Sequence, residues 1–315
     1  MPNVDKDAIA RAARILREGG LVAFPTETVY GLGANALDEN AVERIYRAKS
    51  RPATSPLIVH VATVERARCL AAEWPAKADA LAAAFWPGPL TLVLRKSPSV
   101  PDRVTAGLPT VGLRIPAHPV AQALLEAAAV PIAAPSANRF MGISPTDAEH
   151  VRASLGDEAD LLLEGGPSEV GLESTVLSLV AEPPLILRLG MITREQIEAV
   201  AGPVKCCAAS ATAEGSAHAA PGMHPRHYSP RTPLVIAGDG DPLPPGNIFR
   251  IWWNREAGEG KGIRMPGEAA AYAREIYRAL HAADASGVDF IVVETPPTGP
   301  EWEAIWDRLH RAASH

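Results

Sequence analysis

Cysteine is scarce in this sequence: three in 315 residues, Cys69, Cys206 and Cys207, two of them adjacent. An odd count without C-x-x-C spacing supports neither a disulfide framework nor a structural zinc site, and it points to a reducing, cytoplasmic setting. Long apolar runs are missing too. No stretch approaches the roughly 18 residues of a membrane span. The opening MPNVDKDAIARAARILREGG lacks an apolar signal core and reads as an amphipathic helix. Positive charge is in deficit: 30 Lys and Arg against 36 Asp and Glu give a net −6, so any nucleic-acid surface has to be a local patch. Several motifs are absent as well. Without G-x-G-x-x-G after a strand or G-x-x-x-x-G-K-[ST], phosphate is not held by either of the common glycine-rich loops. Without G-x-S-x-G or H-E-x-x-H, a serine nucleophile elbow and a zinc hydrolase lose support. No residue stands out as a covalent nucleophile.

What is present is ordinary for a globular protein: 47% hydrophobic and 21% charged residues, at a length that allows about two domains. Residues 5–18 carry Ile9, Ala12, Ala13 and Leu16 at helical spacing, closed by Gly19 and Gly20. LVAF (21–24) reads as a buried strand, TETVYGLGANA as a loop, 40–49 as a helix and PLIVHV as the next strand. Helices are expected from Thr63, at 75–85 and at 118–128. Strands are expected at LTLVLR (90–95), TVGLRIP (110–116), VPIAAPSAN, ADLLLEGG, STVLSLV and LILRLG. SPT (144–146) is placed as a helix cap, and Thr193 with Gln196 as a capping box. Helices and strands alternate without a strict βα period, which favours an α/β fold with a twisted mixed sheet over a doubly wound one. Residues 202–232, rich in Ala, Ser, Gly and Pro, read as a linker. It is an odd one, since APGMHPRHYSP sets histidines, an arginine and a tyrosine among prolines. Beyond it, LVIAG, NIFRIWW and DFIVVET with helices at 268–283 and 300–313 make a smaller C-terminal α/β module. The expected division is 1–201, 202–232 and 233–315.

The densest chemical signal is RAKSRPATSPLIVH (47–60), which sets Arg47, Lys49 and Arg51 within five residues beside an apolar strand. Such a cluster suits an anion, although cations at a helix C-terminus are also favoured by its dipole. Other polar residues fall at expected strand ends: Thr26, Glu27, Thr28, His60, Thr110, Arg114, Ser136, Asn138, Ser144, Ser174, Thr175 and Arg188. Strand ends of an α/β sheet are where ligand crevices form. Arg114 is the most telling, because a charge inside an apolar strand needs a partner. By pattern alone His60 also fits a core histidine, and Ser136 and Asn138 fit turn formers.

Taken together, FPTETVYGLGANA, AKSRPATSPLIVH, WPGPLTLVL, TVGLRIPAHP, PIAAPSAN, SPT and ESTVLSL with LILRLG resemble the YrdC-like family, over about residues 10–200. The HYSP of the linker and the second module are similar to the long, two-domain L-threonylcarbamoyladenylate synthases of that family. The resemblance implies a reaction. L-threonine, bicarbonate (or carbon dioxide) and ATP give L-threonylcarbamoyl-AMP and pyrophosphate, for the threonylcarbamoyladenosine at tRNA position 37. It implies Mg2+ entering with ATP, downstream transfer proteins as partners, and a further contact with tRNA left open. By the same resemblance Thr26, His60, Arg114 and Ser174 face the amino acid. Lys49, Arg51, Ser55, Thr110, Ser136, Asn138, Ser144, Arg188 and Tyr228 face ATP, and His227 with Tyr228 reaches back over the site. A bidentate grip on a carboxylate would suit Arg114.

Two departures from the family pattern stand out. Ser55 occupies a place where Asn is usual, which shortens a side chain and removes a donor, and LRLG replaces LRPG. The competing readings are an RNA-binding module that uses the basic concavity and a carbamoyl transferase on the same fold.

Overall fold

A computed structural model describes residues 4–207, 227–254 and 261–313. The helix Lys6–Arg17 begins where the Asp5 carboxylate accepts from the Asp7 and Ala8 amides, and it buries Ile9, Ala12, Ala13 and Leu16 as one stripe. That stripe shares a core with Val120, Leu124 and Leu125 of the helix Pro119–Ala128.

The large sheet runs, edge to edge, Lys205–Cys206, Leu185–Arg188, Thr175–Ser178, Leu90–Arg95, Thr110–Arg114, Ile58–His60, Ile132–Ala133, Gly31–Asn35, Val22–Phe24, Leu161–Leu162. It mixes parallel and antiparallel neighbours, as the irregular alternation of elements predicts. Two registers position polar side chains. Ile58–His60 lies parallel to Thr110–Arg114 with His60 opposite Arg114, so their side chains leave the sheet on one face. Thr175–Ser178 lies antiparallel to Leu185–Arg188 with Val176 opposite Arg188 and an irregularity between Val176 and Leu177, which brings Arg188 to Ser174.

Several expectations are corrected. Residues 26–36 are not all loop, because Gly31–Asn35 is a strand. Its glycines hide the strand signal, yet they are what permit it. A Cβ on Gly33 would come within 2.7 Å of Ile132 and 2.8 Å of Phe24 on the flanking strands. Lys205–Cys206 and Lys261–Arg264 are further strands, with no apolar run to announce them. Asp147, not the SPT segment, caps the helix Ala148–Leu155, since the Asp147 side chain accepts from Glu149 N. The capping box at Thr193 and Gln196 forms as expected.

The C-terminal strands are all parallel, in the order Leu234–Ala237, Phe290–Glu294, Ile248–Trp252, Lys261–Arg264. The helix Ala269–Asp284 buries Tyr272, Ile276, Tyr277 and Leu280, and it shares a core with Val29, Ile143 and Leu172 of the first part of the chain. The backbones meet closely there. A Cβ on Gly171, at φ +78°, would sit 2.4 Å from Arg274 Cα. Of the expected linker, residues 208–226 lie outside the described residues, including His224 and Arg226. No helix among the described residues is long and apolar enough to cross a membrane.

Gly33→Val is expected to destabilise the protein by roughly 1–3 kcal/mol, because the added methyls force Phe24 and Ile132 apart in a packed sheet. Urea unfolding reads this directly. An unchanged midpoint would show that the strand crossing has room to spare.

Candidate active site

A cavity of about 50 Å³ opens at the face that carries His60 and Arg114. Its walls bring together eight of the thirteen expected site residues: Thr26, Arg51, His60, Arg114, Ser136, Ser174, Arg188 and Tyr228. The apolar part is Val29, Ile58, Ala134 and Pro135.

Thr26 sits just past the strand Val22–Phe24, stopped by Pro25, and it folds the chain onto itself. Its Oγ1 accepts from the Thr28 and Val29 amides, both at 3.2 Å, and donates to Val29 O at 2.6 Å. This turn aims Thr28 into the cavity as well.

Arg51 follows the helix Glu39–Lys49, which ends in a left-handed Ser50. Its guanidinium is buried and turned toward backbone oxygens. Nε and Nη2 donate to the carbonyls of Ser55 (3.4 Å) and Pro56 (3.1 Å), and Phe140 lies 5.7 Å below the charge. Burial pulls its pKa down to about 10, so it stays cationic at neutral pH. Arg188 is likewise buried and is tied to Ser174, with Nε and Nη2 donating to Ser174 O at 3.1 and 3.0 Å and Nη2 to Ser174 Oγ at 3.1 Å. Ser174 Oγ also shares a 2.7 Å hydrogen bond with Thr91, so this hydroxyl is engaged by Thr91 and Arg188 and not by a histidine. No Ser–His pair is assembled among the residues lining the cavity.

Arg114 has an internal carboxylate. Its Nη2 donates to Glu27 Oε1 at 2.7 Å and its Nε to Gly88 O at 3.3 Å, both sides of the ion pair being buried. The expected bidentate grip on a ligand carboxylate therefore meets a prior partner, although Arg114 still lines the cavity. His60 is packed edge-on against Phe24 at 6.2 Å. Burial, with Arg114 nearby, pushes its pKa down to about 3, so the imidazole is neutral at physiological pH.

Five expected residues do not line the cavity. Lys49 stands behind the wall. Its buried ammonium donates to the carbonyls of Ser136, at 2.5 Å, and Asn138, and burial first, then Arg51 and Arg139, hold its pKa well below the usual lysine value. Asn138 is spent on its own loop, with Nδ2 donating to the carbonyls of Arg139 and Gly142 at 2.8 Å each. Ser55 is buried in the turn after Arg51, where its carbonyl accepts from Tyr46 Oη at 3.0 Å. Ser144 gives its hydroxyl to Glu173 at 2.5 Å. Thr110 begins the strand whose far end is Arg114, about 13 Å away at the usual rise.

The least legible part of the site is Glu173, which lines the cavity. Its carboxylate accepts from Ser144 Oγ, from Tyr277 Oη at 3.1 Å and from Arg308 Nε at 2.7 Å. Burial alone would raise its pKa, but Arg308, Arg188 and these hydrogen bonds lower it, so it is ionised. The signal for Arg308 is visible in retrospect. It shares the buried stripe of the helix Glu303–Ala313 with Ala304, Ile305, Leu309 and Ala312, where the periodicity expects an apolar residue. The last lining residues, His227 and Tyr228, belong to the end of the linker. Both are buried, and Tyr228 holds φ +61°.

This arrangement has counterparts among known proteins. A Sua5/YciO/YrdC family model described as telomere recombination matches residues 14–190. A second model, described as threonylcarbamoyl-AMP synthase, C-terminal domain, matches residues 192–314. The threonylcarbamoyl-AMP synthase of Pyrococcus abyssi is 42% identical, covering 99% of this chain and 96% of its own length. That of Bacillus subtilis is also 42% identical, over 97% of this chain and 92% of its own. The crystal structure of P. abyssi Sua5 complexed with L-threonine superposes with a TM-score of 0.92 at 40% identity, covering 99% of this chain and 95% of that one.

The depressed pKa of His60 has a consequence for stability. The unfolded chain takes up a proton near pH 6.5 and the folded one near 3. The contribution is therefore full above pH 6.5 and is lost as pH falls toward 3. Between pH 7 and 5 it amounts to about 2 kcal/mol. His60→Gln is expected to lose about that much less stability than the parent over this interval, read by urea unfolding at both pH values. Parallel losses would mean that His60 is protonated in the folded protein.

Proposed function

The chain belongs to the Sua5/YciO/YrdC family, and on that premise we propose that the cavity is where L-threonine and ATP meet. The activity is the synthesis of L-threonylcarbamoyl-AMP, an ATP-using step that serves threonylcarbamoyladenosine formation in tRNA. The observation that carries the assignment to this cavity is the gathering of Arg51, Arg114 and Arg188 with a neutral His60 and no nucleophile–base pair among the lining residues. Such a site positions and neutralises, and it has no covalent step to perform.

The neutral threonine amine forms a carbamate, either by adding to carbon dioxide with release of a proton to solvent or by condensing with bicarbonate with loss of water. A carbamate oxygen attacks the α-phosphorus of ATP, the bond to the bridging oxygen breaks, and pyrophosphate leaves with the electron pair. Arg51 and Arg188 offset the charge on the phosphates, each already oriented by backbone carbonyls so that little reorganisation is needed. Thr26, Thr28, His60, Arg114 and Ser174 surround the amino acid. Lys49 and Asn138 act at one remove, by holding the loop that presents Ser136. Ser55 shapes the turn that aims Arg51, and Ser144 acts through Glu173. Thr110 is assigned to the nucleotide end, away from the cavity proper. Residues 1–201 are read as the catalytic unit, 202–232 as a linker whose end, with His227 and Tyr228, excludes water from the carbamate, and 233–315 as the module that supports it.

Mg2+ is not given a protein cage in this mechanism. Among the described residues no group of three His, Cys, Asp or Glu could hold a metal. The lining carboxylate, Glu173, already accepts from Ser144, Tyr277 and Arg308. The donor set does not fit a resident metal, and the ion would come with the phosphates of ATP. Transfer proteins that pass the group to tRNA position 37 are the expected partners. Exposed free thiols at Cys69 and Cys206 suit a cytoplasmic setting. The RNA-binding alternative needs an accessible basic stripe, whereas Lys49, Arg51, Arg114 and Arg188 are all buried.

Pyrophosphate release from ATP is expected to require both L-threonine and bicarbonate, and Arg51→Met to lower kcat/KM by about 100-fold. Release indifferent to threonine would remove this reading.

A further inference from the structure

We propose that Arg308, on the last helix of the C-terminal module, is a positioning residue for this reaction, holding Glu173 and Tyr228 in the arrangement that closes the cavity. The inference rests on the reaction assigned to that cavity. Arg308 is 135 residues from Glu173 in sequence and is only 1% exposed. Its guanidinium is divided among three acceptors: Nε to Glu173 Oε2 at 2.7 Å, Nη2 to Leu189 O at 2.8 Å and Nη1 to Asp307 Oδ2 at 2.5 Å. The ring of Tyr228 lies 5.0 Å from its central carbon. Two of these acceptors are continuous with the cavity wall, because Glu173 precedes Ser174 and Leu189 follows Arg188.

Stability alone is a weak reason for such a residue. A buried ion pair can often be replaced by apolar side chains without loss, but a fork that bonds in three directions fixes geometry. Tyr228 is where that geometry is needed. Its φ of +61° is a region that a bulky residue occupies only where its surroundings impose it. Its ring is held by Arg308, by His227 at 4.1 Å and by Tyr277 at 5.9 Å. Its buried hydroxyl has no partner among the described residues, although Tyr228 lines the cavity. An orphaned buried hydroxyl is costly, and a ligand in the cavity would supply the partner it lacks. Tyr277 adds a second tie from the same module, donating to Glu173. Arg308 thus reaches the cavity wall through one carboxylate, one carbonyl and one aromatic ring.

The test is a double-variant cycle in the full chain with Arg308→Met, Tyr228→Ala and both together. It is read by kcat and KM for pyrophosphate release and by hydrogen exchange of residues 227–232. Arg308→Met is expected to lower kcat/KM by about 100-fold, with Arg308→Lys recovering part of the loss. The double variant is expected to be no worse than the poorer single one, because Arg308 acts through Tyr228. Exchange at 227–232 rises while the strand Thr175–Ser178 stays protected. Multiplying losses with unchanged exchange would overturn the proposal. Where Arg308→Met does not fold, Arg308→Lys and Glu173→Gln carry the same comparison. If the parent protein releases pyrophosphate without threonine, the reaction assignment fails, and exchange at 227–232 alone decides the positioning role.

Discussion

Four basic side chains, Lys49, Arg51, Arg114 and Arg188, are buried within or just behind one cavity. Burying charge without compensation is prohibitive. Arg114 has the carboxylate of Glu27 beside it. Elsewhere the fold meets the cost largely with backbone carbonyls: Ser136 and Asn138 for Lys49, Ser55 and Pro56 for Arg51, Ser174 for Arg188. Carbonyl dipoles solvate a cation but do not cancel its charge. Three guanidiniums thus line the cavity with one ionised carboxylate, Glu173, an arrangement suited to an anionic ligand.

That requirement explains the irregular backbone around the site. Carbonyls turn most readily toward a side chain where they are not already taken by sheet or helix. Accordingly the turn after Ser50, the 134–142 loop and the bend before Thr175 all leave regular structure. The glycines serve the same end by letting walls approach. A Cβ on Gly190 would lie 2.4 Å from Thr175 N and 2.7 Å from Glu173 O. The segment 173–175 is thus pressed from one side by Gly190 and tied from the other by Arg308 and Tyr277. The C-terminal part of the chain thus supplies two side-chain ties to this wall, Arg308 and Tyr277.

Much of the fold was legible because periodicity and caps are local. The stripe Ile9, Ala12, Ala13, Leu16, the strand LTLVLR and the capping box at Thr193 appear where the pattern puts them. The strand Gly31–Asn35 was hidden because its sequence, GLGAN, has almost no strand propensity; close packing against Phe24 and Ile132 makes the glycines necessary. Among site residues, those flanking motifs converge on the cavity. Ser144 and Asn138 carry equally recognisable motifs, yet their side chains serve the scaffold. A motif identifies a position under constraint without saying whether the constraint is the ligand or the wall.

The sequence by itself determined the mixed α/β class, the family resemblance, and the residues from which a positive, nucleophile-free site would be built. All of these depend on spacing within short segments. The tertiary structure decided which of those residues face the cavity and which stand behind it. It also paired Arg114 with Glu27, turned the Lys49 amine toward two carbonyls, and joined Glu173 to Arg308 across 135 residues. The physical reason is that a buried charge takes its partner from whatever the folded chain brings within about 3 Å, and no local pattern encodes that distance. RAKSRPATSPLIVH pointed to an anion site in one dimension, and the fold divided the stretch into Arg51 and His60 on the cavity face and Lys49 and Ser55 behind it.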